Sequence, residues 1–76
     1  TELRFTLRQT GAVDLAIYDV RGARVRSLLQ DERSAGEHLV VWRGEDDGGR
    51  LLPSGVYVAR LKADGQVQSQ RLMLVK

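Results

Sequence analysis

The residue best suited to acid–base or metal chemistry is His38, the only histidine in the sequence. A metal site or a catalytic base would need partner side chains, and the chain offers no second histidine and no cysteine. His38 also stands in a stretch where residue types alternate as they do along a strand. We therefore predict that His38 is a strand residue in contact with its neighbours, and that it holds no metal.

Three consecutive acidic residues, Glu45, Asp46 and Asp47, could bind calcium, which prefers several oxygen ligands. The spacing of an EF-hand loop is absent, and glycines lie on both sides of the group. A short aspartate side chain often accepts hydrogen bonds from backbone amides in a turn. We predict this role for Asp46, in a glycine-rich turn, and calcium binding stays open as the alternative.

The sequence predicts neither a nucleophilic serine site nor a phosphate-binding loop. A catalytic serine needs a histidine and an acid arranged around it. No such arrangement is plausible around the serines of this chain, which are Ser27, Ser34, Ser54 and Ser69. The glycine-rich segment Gly44–Arg50 is not followed by a helix whose N-terminus could bind phosphate. We expect no catalytic site and no cofactor, so an enzyme is the least favoured class of function.

The chain is short and close to neutral, because 12 basic and 10 acidic side chains among 76 residues give a formal net charge of +2. This length suits one domain near the lower limit for a single hydrophobic core, without the help of a disulfide. Basic and acidic residues alternate, which disfavours a nucleic-acid surface. No apolar run approaches the roughly 18 residues of a membrane span. Since no initiator methionine or leader precedes Thr1, we expect the chain to be a C-terminal fragment of a longer protein.

Apolar and polar residues alternate with a period of two along much of the chain, and a helical period is absent. The apolar positions of the expected strands are Leu3, Phe5, Leu7, Val13, Leu15, Ile17, Val25, Leu28, Leu29, Val40, Trp42, Tyr57, Ala59, Leu61, Leu72 and Leu74. The pattern predicts an all-β fold, an immunoglobulin-like, fibronectin III-like antiparallel sandwich of six to seven strands. Its largest side chains, Trp42 and Tyr57, are predicted to anchor the core.

Two hairpin turns are predicted from glycines that can adopt a positive φ, one at Asp19–Gly22 and one at Asp64–Gly65. The strand between the first of these turns and residue 30 should contain a bulge or an end, because Leu28 and Leu29 break the alternation.

Two further segments interrupt the strand pattern. Residues 31–36 are polar and close with a glycine, so they are predicted to turn the chain. Residues 43–55 contain too many glycines for a regular strand, although Leu51–Leu52 is predicted to form a short edge strand against the core.

Four segments resemble, in the same order, motifs shared by two related families. Ile17–Arg26 is similar to the hairpin IYDxxGrxVr, Ala35–Trp42 to AGxHxVxW, Gly44–Leu61 to GxDxxGxxhpSGxYxxrL, and Arg71–Lys76 to rKMxLvr. The structural motif that the resemblance marks out consists of Trp42, Gly44, Asp46, Gly49, Gly55 and Tyr57. One family is the C-terminal sorting domain of the type IX secretion system, and the other is the immunoglobulin-like domain of flagellar hook-capping proteins.

The resemblance to sorting domains implies a non-catalytic address that directs an attached cargo, through the periplasm of a Gram-negative bacterium, to the cell surface. The implied partners are the secretion machinery, a surface peptidase and a covalently attached upstream cargo domain. The implied recognition residues lie in the last strand: Arg71, Leu72, Met73, Leu74, Val75 and Lys76. A terminal strand at a sheet edge could also pair with a receptor strand.

Two alternatives remain open. The resemblance to hook-capping proteins implies a structural domain in the assembly of a filament. An accessory binding module of a secreted enzyme is a third hypothesis, although a sugar platform would expose more aromatic residues than this chain supplies. The strand arginines Arg24, Arg26, Arg60 and Arg71 are predicted to face solvent and to discourage edge pairing, with a docking surface as the alternative.

Overall fold

The computed structural model describes residues 1–75, and within them every regular element is a strand. Six strands are present, in agreement with the six to seven that the alternation predicts. Their bounds are β1 Glu2–Leu7, β2 Gly11–Tyr18, β3 Arg24–Arg33, β4 Gly36–Val41, β5 Gly55–Ala63 and β6 Gln66–Leu74. No helix in this part of the chain could cross a membrane.

The strands form two antiparallel sheets. One contains β1 and β4, and the other has the order β3-β2-β5-β6. Leu3 pairs with Val40 in the smaller sheet, while Tyr57 pairs with Leu72 in the larger one. Directly opposed residues point to the same side of a sheet, so each pair places two apolar side chains towards the other sheet.

The core lies between the sheets and is centred on Trp42 and Tyr57, which are 1 % and 6 % exposed. Their ring centroids are 5.4 Å apart at an interplanar angle of 68°. This edge-to-face arrangement is favoured by the charge distribution of aromatic rings. The other members of the buried cluster are Leu3, Leu15, Ile17, Ala59 and Leu72. The prediction that these two aromatic residues anchor the core is confirmed.

Both predicted hairpin turns are present. Gly22 has a φ of +86° in the turn between β2 and β3. In the turn between β5 and β6, Asp64 has a φ of +55° and Gly65 one of +71°. Positive φ at both central residues is the geometry of a type I′ turn, whose twist matches that of the strands it joins.

The third strand departs from the prediction at its end. Residues 31–36 were expected to turn, but β3 continues to Arg33, where it pairs with Gly11. Because β3 is an edge strand, its polar side chains remain in solvent, and the backbone ladder does not need apolar residues to persist. The Arg33 guanidinium, 2.9 Å from the Asp31 carboxylate, adds an ion pair along this stretch.

The predicted irregularity at Leu28–Leu29 is confirmed. Leu15 pairs with Leu29 and Ala16 with Ser27, so Leu28 is an extra residue with no partner on β2. A second shift, which the sequence pattern did not indicate, leaves Val25 without a partner in the same way.

The expected edge strand at Leu51–Leu52 is reduced to a single bridge between Leu51 and Glu45. Leu52 packs against the core, but Leu51 is 71 % exposed, so the prediction is wrong for Leu51. The Leu52 amide donates to the Gly44 carbonyl at 2.8 Å, which closes the loop tightly. Neighbouring residues then point to opposite sides, and only one of the two leucines can reach the core.

The larger sheet is only partly covered by the smaller one. On the β6 side, Gln68 and Gln70 pair with Leu61 and Ala59 and therefore point towards β1. Both glutamines are exposed. Together with Leu3 and other residues of β1 and β5 they line a groove of about 250 Å³ between the unpaired edges of β1 and β6.

Candidate functional site

The segment after β4 is held by Asp46, as the sequence predicted. One carboxylate oxygen, Oδ1, accepts hydrogen bonds from the backbone amides of Gly48 and Arg50, each at 2.9 Å. The backbone carbonyl of Asp46 accepts from the Gly49 amide at 3.0 Å. Gly49 has a φ of +82°, which glycine adopts without steric cost. Asp46 therefore folds the segment with its own side chain.

The two core aromatic residues hold the segment after β4 from its core side. The indole nitrogen Nε1 of Trp42 donates to the Glu45 carbonyl at 2.9 Å, and the Tyr57 hydroxyl donates to the Pro53 carbonyl at 2.8 Å. Each side chain buries its ring and uses its polar atom to satisfy a loop carbonyl, which is the usual arrangement for buried tryptophan and tyrosine.

The two remaining glycines of the predicted motif join this loop to the last two strands. Gly44 is buried with a φ of +79°, and a Cβ atom at this position would lie 2.9 Å from Cδ1 of Leu74. Gly55 begins β5 and pairs with Leu74. The predicted motif is thus brought together in space, around the junction of the loop with the core.

Asp47 joins the loop to β3. Its amide donates to the Val25 carbonyl at 3.0 Å, and its Oδ1 accepts from the Ser27 amide at 2.9 Å. Val25 lies at one of the two register shifts, where its backbone is not paired with β2. The bulged strand and the loop therefore stabilise each other through the backbone groups that the bulge leaves available.

Among residues 1–75, no group of three histidine, aspartate or glutamate residues is close enough to hold a metal ion. His38 lies on β4 opposite Phe5, and the two rings stack with centroids 5.2 Å apart. Its Nε2 is 2.7 Å from the Ser34 carbonyl oxygen. The prediction that His38 contacts neighbouring strand residues is confirmed.

A second aspartate, Asp19, caps the turn between β2 and β3, a role that sequence reasoning missed. Its Oδ1 accepts from the amides of Arg21 and Ala23 at 2.9 and 3.0 Å. These hydrogen bonds, of which the one from the Ala23 amide has the largest effect, stabilise the carboxylate and lower the pKa of Asp19 below its ordinary value. The available signal was a shared spacing. Ala23 follows a glycine and lies four residues after Asp19, just as Arg50 follows a glycine and lies four residues after Asp46.

The four strand arginines do not behave alike. Arg24, Arg60 and Arg71 are exposed on the outer face of the larger sheet, as expected. Arg26 is different, because its side chain is only 30 % exposed and its Nη1 donates to the Asp46 carbonyl at 3.4 Å. The prediction that it faces solvent is wrong: the loop that follows β4 folds over this part of β3 and covers it.

Tyr18 lies between two of the exposed arginines. The guanidinium carbons of Arg24 and Arg60 are 5.7 and 5.9 Å from the centre of its ring. Arg24 also donates to the Tyr18 hydroxyl at 3.3 Å, a hydrogen bond that raises the pKa of Arg24 above its ordinary value. Sequence reasoning assigned a possible docking role to the arginines but not to this tyrosine. The signal was its place in the alternation, because Tyr18 directly follows the inward-facing Ile17 and so should point outward.

The last strand lies at a sheet edge, where the sequence placed it. Leu72 is buried and Leu74 half-buried, whereas Met73 is 63 % and Val75 77 % exposed. A partner that read this segment would meet Arg71, Met73 and Val75 but not Leu72. Lys76 lies outside the described residues.

Two antiparallel sheets closed over a tryptophan–tyrosine core define an immunoglobulin-like β-sandwich. The family model described as FlgD Ig-like domain matches residues 1–66, and the chain belongs to this family. A crystal structure of FlgD from P. aeruginosa is similar, with a TM-score of 0.67 and 25 % identity. The likeness covers 96 % of this chain and 58 % of that one. No curated protein matches the chain.

These comparisons support the second of the two family resemblances. Both point to FlgD, and neither supports a type IX sorting domain. The family match also ends at Gln66, the first residue of β6, so it leaves out the segment from Arg71 onwards that was expected to be recognised in secretion.

Proposed function

We propose that this chain is the immunoglobulin-like structural domain of a flagellar hook-capping protein and that it catalyses no reaction. The observation that carries the proposal is the match of the FlgD Ig-like family model to residues 1–66, together with the structural likeness to FlgD. A closer likeness to fibronectin III domains is part of the same proposal.

The geometry is consistent with a structural role. The loops are fixed by backbone amides that donate hydrogen bonds to the carboxylates of Asp19, Asp46 and Asp47. Trp42 and Tyr57 use their polar atoms on loop carbonyls. These carboxylates and aromatic polar atoms stabilise the fold and are not directed at a substrate. This favours a rigid module that presents surfaces to other proteins.

The partners in this proposal are other protein subunits of the hook assembly, and the place of action is outside the cytoplasm. The arginine-bearing outer face and the unpaired edge of β6 are the surfaces that such partners could contact.

An in-frame deletion of residues 1–75 from the parent gene, made in the native host, tests the proposal. We expect hook assembly, observed by electron microscopy of the cell surface, to fail. Re-insertion of the segment should restore it, and so should a segment carrying Val67→Thr, a change at a position that is 53 % exposed. Normal hooks in the deletion strain would contradict the proposal. Normal hooks together with failed delivery of the parent protein to the surface would favour a sorting role instead.

A further inference from the structure

The outer face of the larger sheet carries a row of side chains that crosses all four strands. Tyr18 pairs with Arg24 on one side and with Val58 on the other, and Val58 pairs with Arg71. Arg60 lies in the adjacent row, between Ala16 and Ser69. We call the group formed by Tyr18, Arg24, Val58, Arg60 and Arg71 the arginine face.

Two of its three cations lack a carboxylate partner. Arg24 is 3.5 Å from Asp14. Within residues 1–75, neither Arg60 nor Arg71 has a carboxylate oxygen within 4.0 Å, whereas most other arginines of this segment do. The arginine face therefore presents guanidinium groups that are free to bind a carboxylate, which they do with two parallel hydrogen bonds.

Tyr18 holds two of the three guanidinium groups, those of Arg24 and Arg60, before any partner binds. Arg24 and Arg60 approach its ring from the strands on either side of β2. Ala16 points to the same outer face yet is only 1 % exposed, so neighbouring side chains lie across it. A guanidinium that is already held in place loses less conformational entropy on binding than a free one.

Apolar side chains border the same face. Val56 and Val58 are half-buried, and Met73, which pairs with Val56, is 63 % exposed. An interface commonly combines such an apolar strip with arginine and tyrosine contacts.

We propose that the arginine face is a docking surface for an acidic, extended segment of a partner protein. In the docked state two carboxylates of the segment, which are two residues apart and therefore on the same side of it, bind Arg60 and Arg71. Charge complementarity selects this occupant. A nucleic acid would need a longer basic stripe, whereas this side of the sheet carries three arginines and Lys62 with Asp14 among them. The proposal concerns the surface of this domain and stands whether or not the domain caps a hook.

The test is a binding titration of the full 76-residue chain with a labelled peptide of four Asp-Val repeats, followed by NMR and fluorescence anisotropy. We expect amide shifts confined to the outer face of β2, β5 and β6, and weaker binding as salt is added. The double variant Arg60→Gln with Arg71→Gln should weaken binding at least about tenfold, since each lost charged hydrogen bond is worth about one order of magnitude. The matched control is Arg43→Gln, an exposed arginine of the loop after β4, which should bind like the original chain.

Three outcomes would overturn the proposal. One is equal binding of a peptide in which asparagine replaces each aspartate. Another is an equal loss of binding in the Arg43→Gln control. The third is tighter binding of a single-stranded oligonucleotide through Arg60 and Arg71, which would make this a nucleic-acid surface. If the glutamine variant is unfolded by circular dichroism, Arg60→Lys with Arg71→Lys decides, because it keeps the charge but loses paired hydrogen bonding and should bind more weakly.

Discussion

The carboxylate of Asp64 accepts a hydrogen bond from the backbone amide of Arg8 at 3.1 Å, across a sequence separation of 56 residues. Asp64 is in the turn between β5 and β6, and Arg8 directly follows β1. The contact therefore joins the larger sheet to the smaller one at one end of the sandwich. The Arg8 guanidinium lies 3.8 Å from the same carboxylate oxygen.

Replacing Asp64 tests this connection. Asp64→Ala should destabilise the domain by about 1–3 kcal/mol, because it removes the hydrogen bond and places alanine at a positive φ. Asp64→Asn should cost clearly less, since asparagine keeps an acceptor oxygen and tolerates this backbone conformation. Urea unfolding of both variants is the measurement, and an alanine variant as stable as the asparagine variant would contradict this role.

The aromatic pair should dominate the stability of the core. Trp42→Ala is expected to cost about 3–5 kcal/mol, a large share of the total stability of so small a domain. Tyr57→Phe removes only the hydrogen bond to the Pro53 carbonyl and should cost about 1 kcal/mol. Denaturant midpoints give both values, with Leu39→Thr as the control at a position that is 50 % exposed. A Trp42 variant no weaker than this control would disprove the assignment of the core.

Stability should fall in acid partly through Asp19. Its pKa is lowered in the folded state, so its contribution is fully present above the ordinary aspartate pKa of about 3.9 and is lost as the pH falls through the lower, folded-state value. Thermal unfolding of the original chain and of Asp19→Asn, measured from neutral to strongly acidic pH, should show a smaller acid dependence in the variant. Identical pH profiles would show that Asp19 plays no such part.

Gly44 and Gly48 form a matched pair in one loop. Gly44 has a φ of +79° and its added Cβ would meet Leu74, whereas Gly48 lacks a positive φ and its added Cβ would lie 3.4 Å from Asp46 Oδ1. Gly44→Ala should therefore destabilise the domain by about 1–2 kcal/mol, and Gly48→Ala by less. Equal free energies of unfolding for the two variants would mean that backbone conformation does not explain the glycine at position 44.

The local pattern of the sequence predicted the strands, both hairpin turns and the aromatic core. Each depends on neighbouring residues: alternation fixes which side chains face the core, and glycine or aspartate at a turn fixes the local φ. The role of Asp46 was predictable for the same reason, because its hydrogen-bond partners are at most four residues away.

Features that depend on pairing between distant strands were not predictable. The end of β3 was misplaced because an edge strand continues with polar residues as readily as with apolar ones. The partial burial of Arg26 depends on the loop that packs against β3, and the approach of Arg60 to Tyr18 depends on the register of β2 with β5. The choice between the two resembled families also needed the comparison with FlgD.

The groove between β1 and β6 shows how the domain tolerates an incomplete cover over its larger sheet. Gln68 and Gln70 occupy inward positions where leucine or valine would extend the core, and their amides meet water without cost. Apolar residues at these two positions would create an exposed apolar patch next to the unpaired edges of β1 and β6. Such a patch promotes aggregation. The two glutamines thus favour solubility, because they disfavour association between copies of the domain through these strand edges.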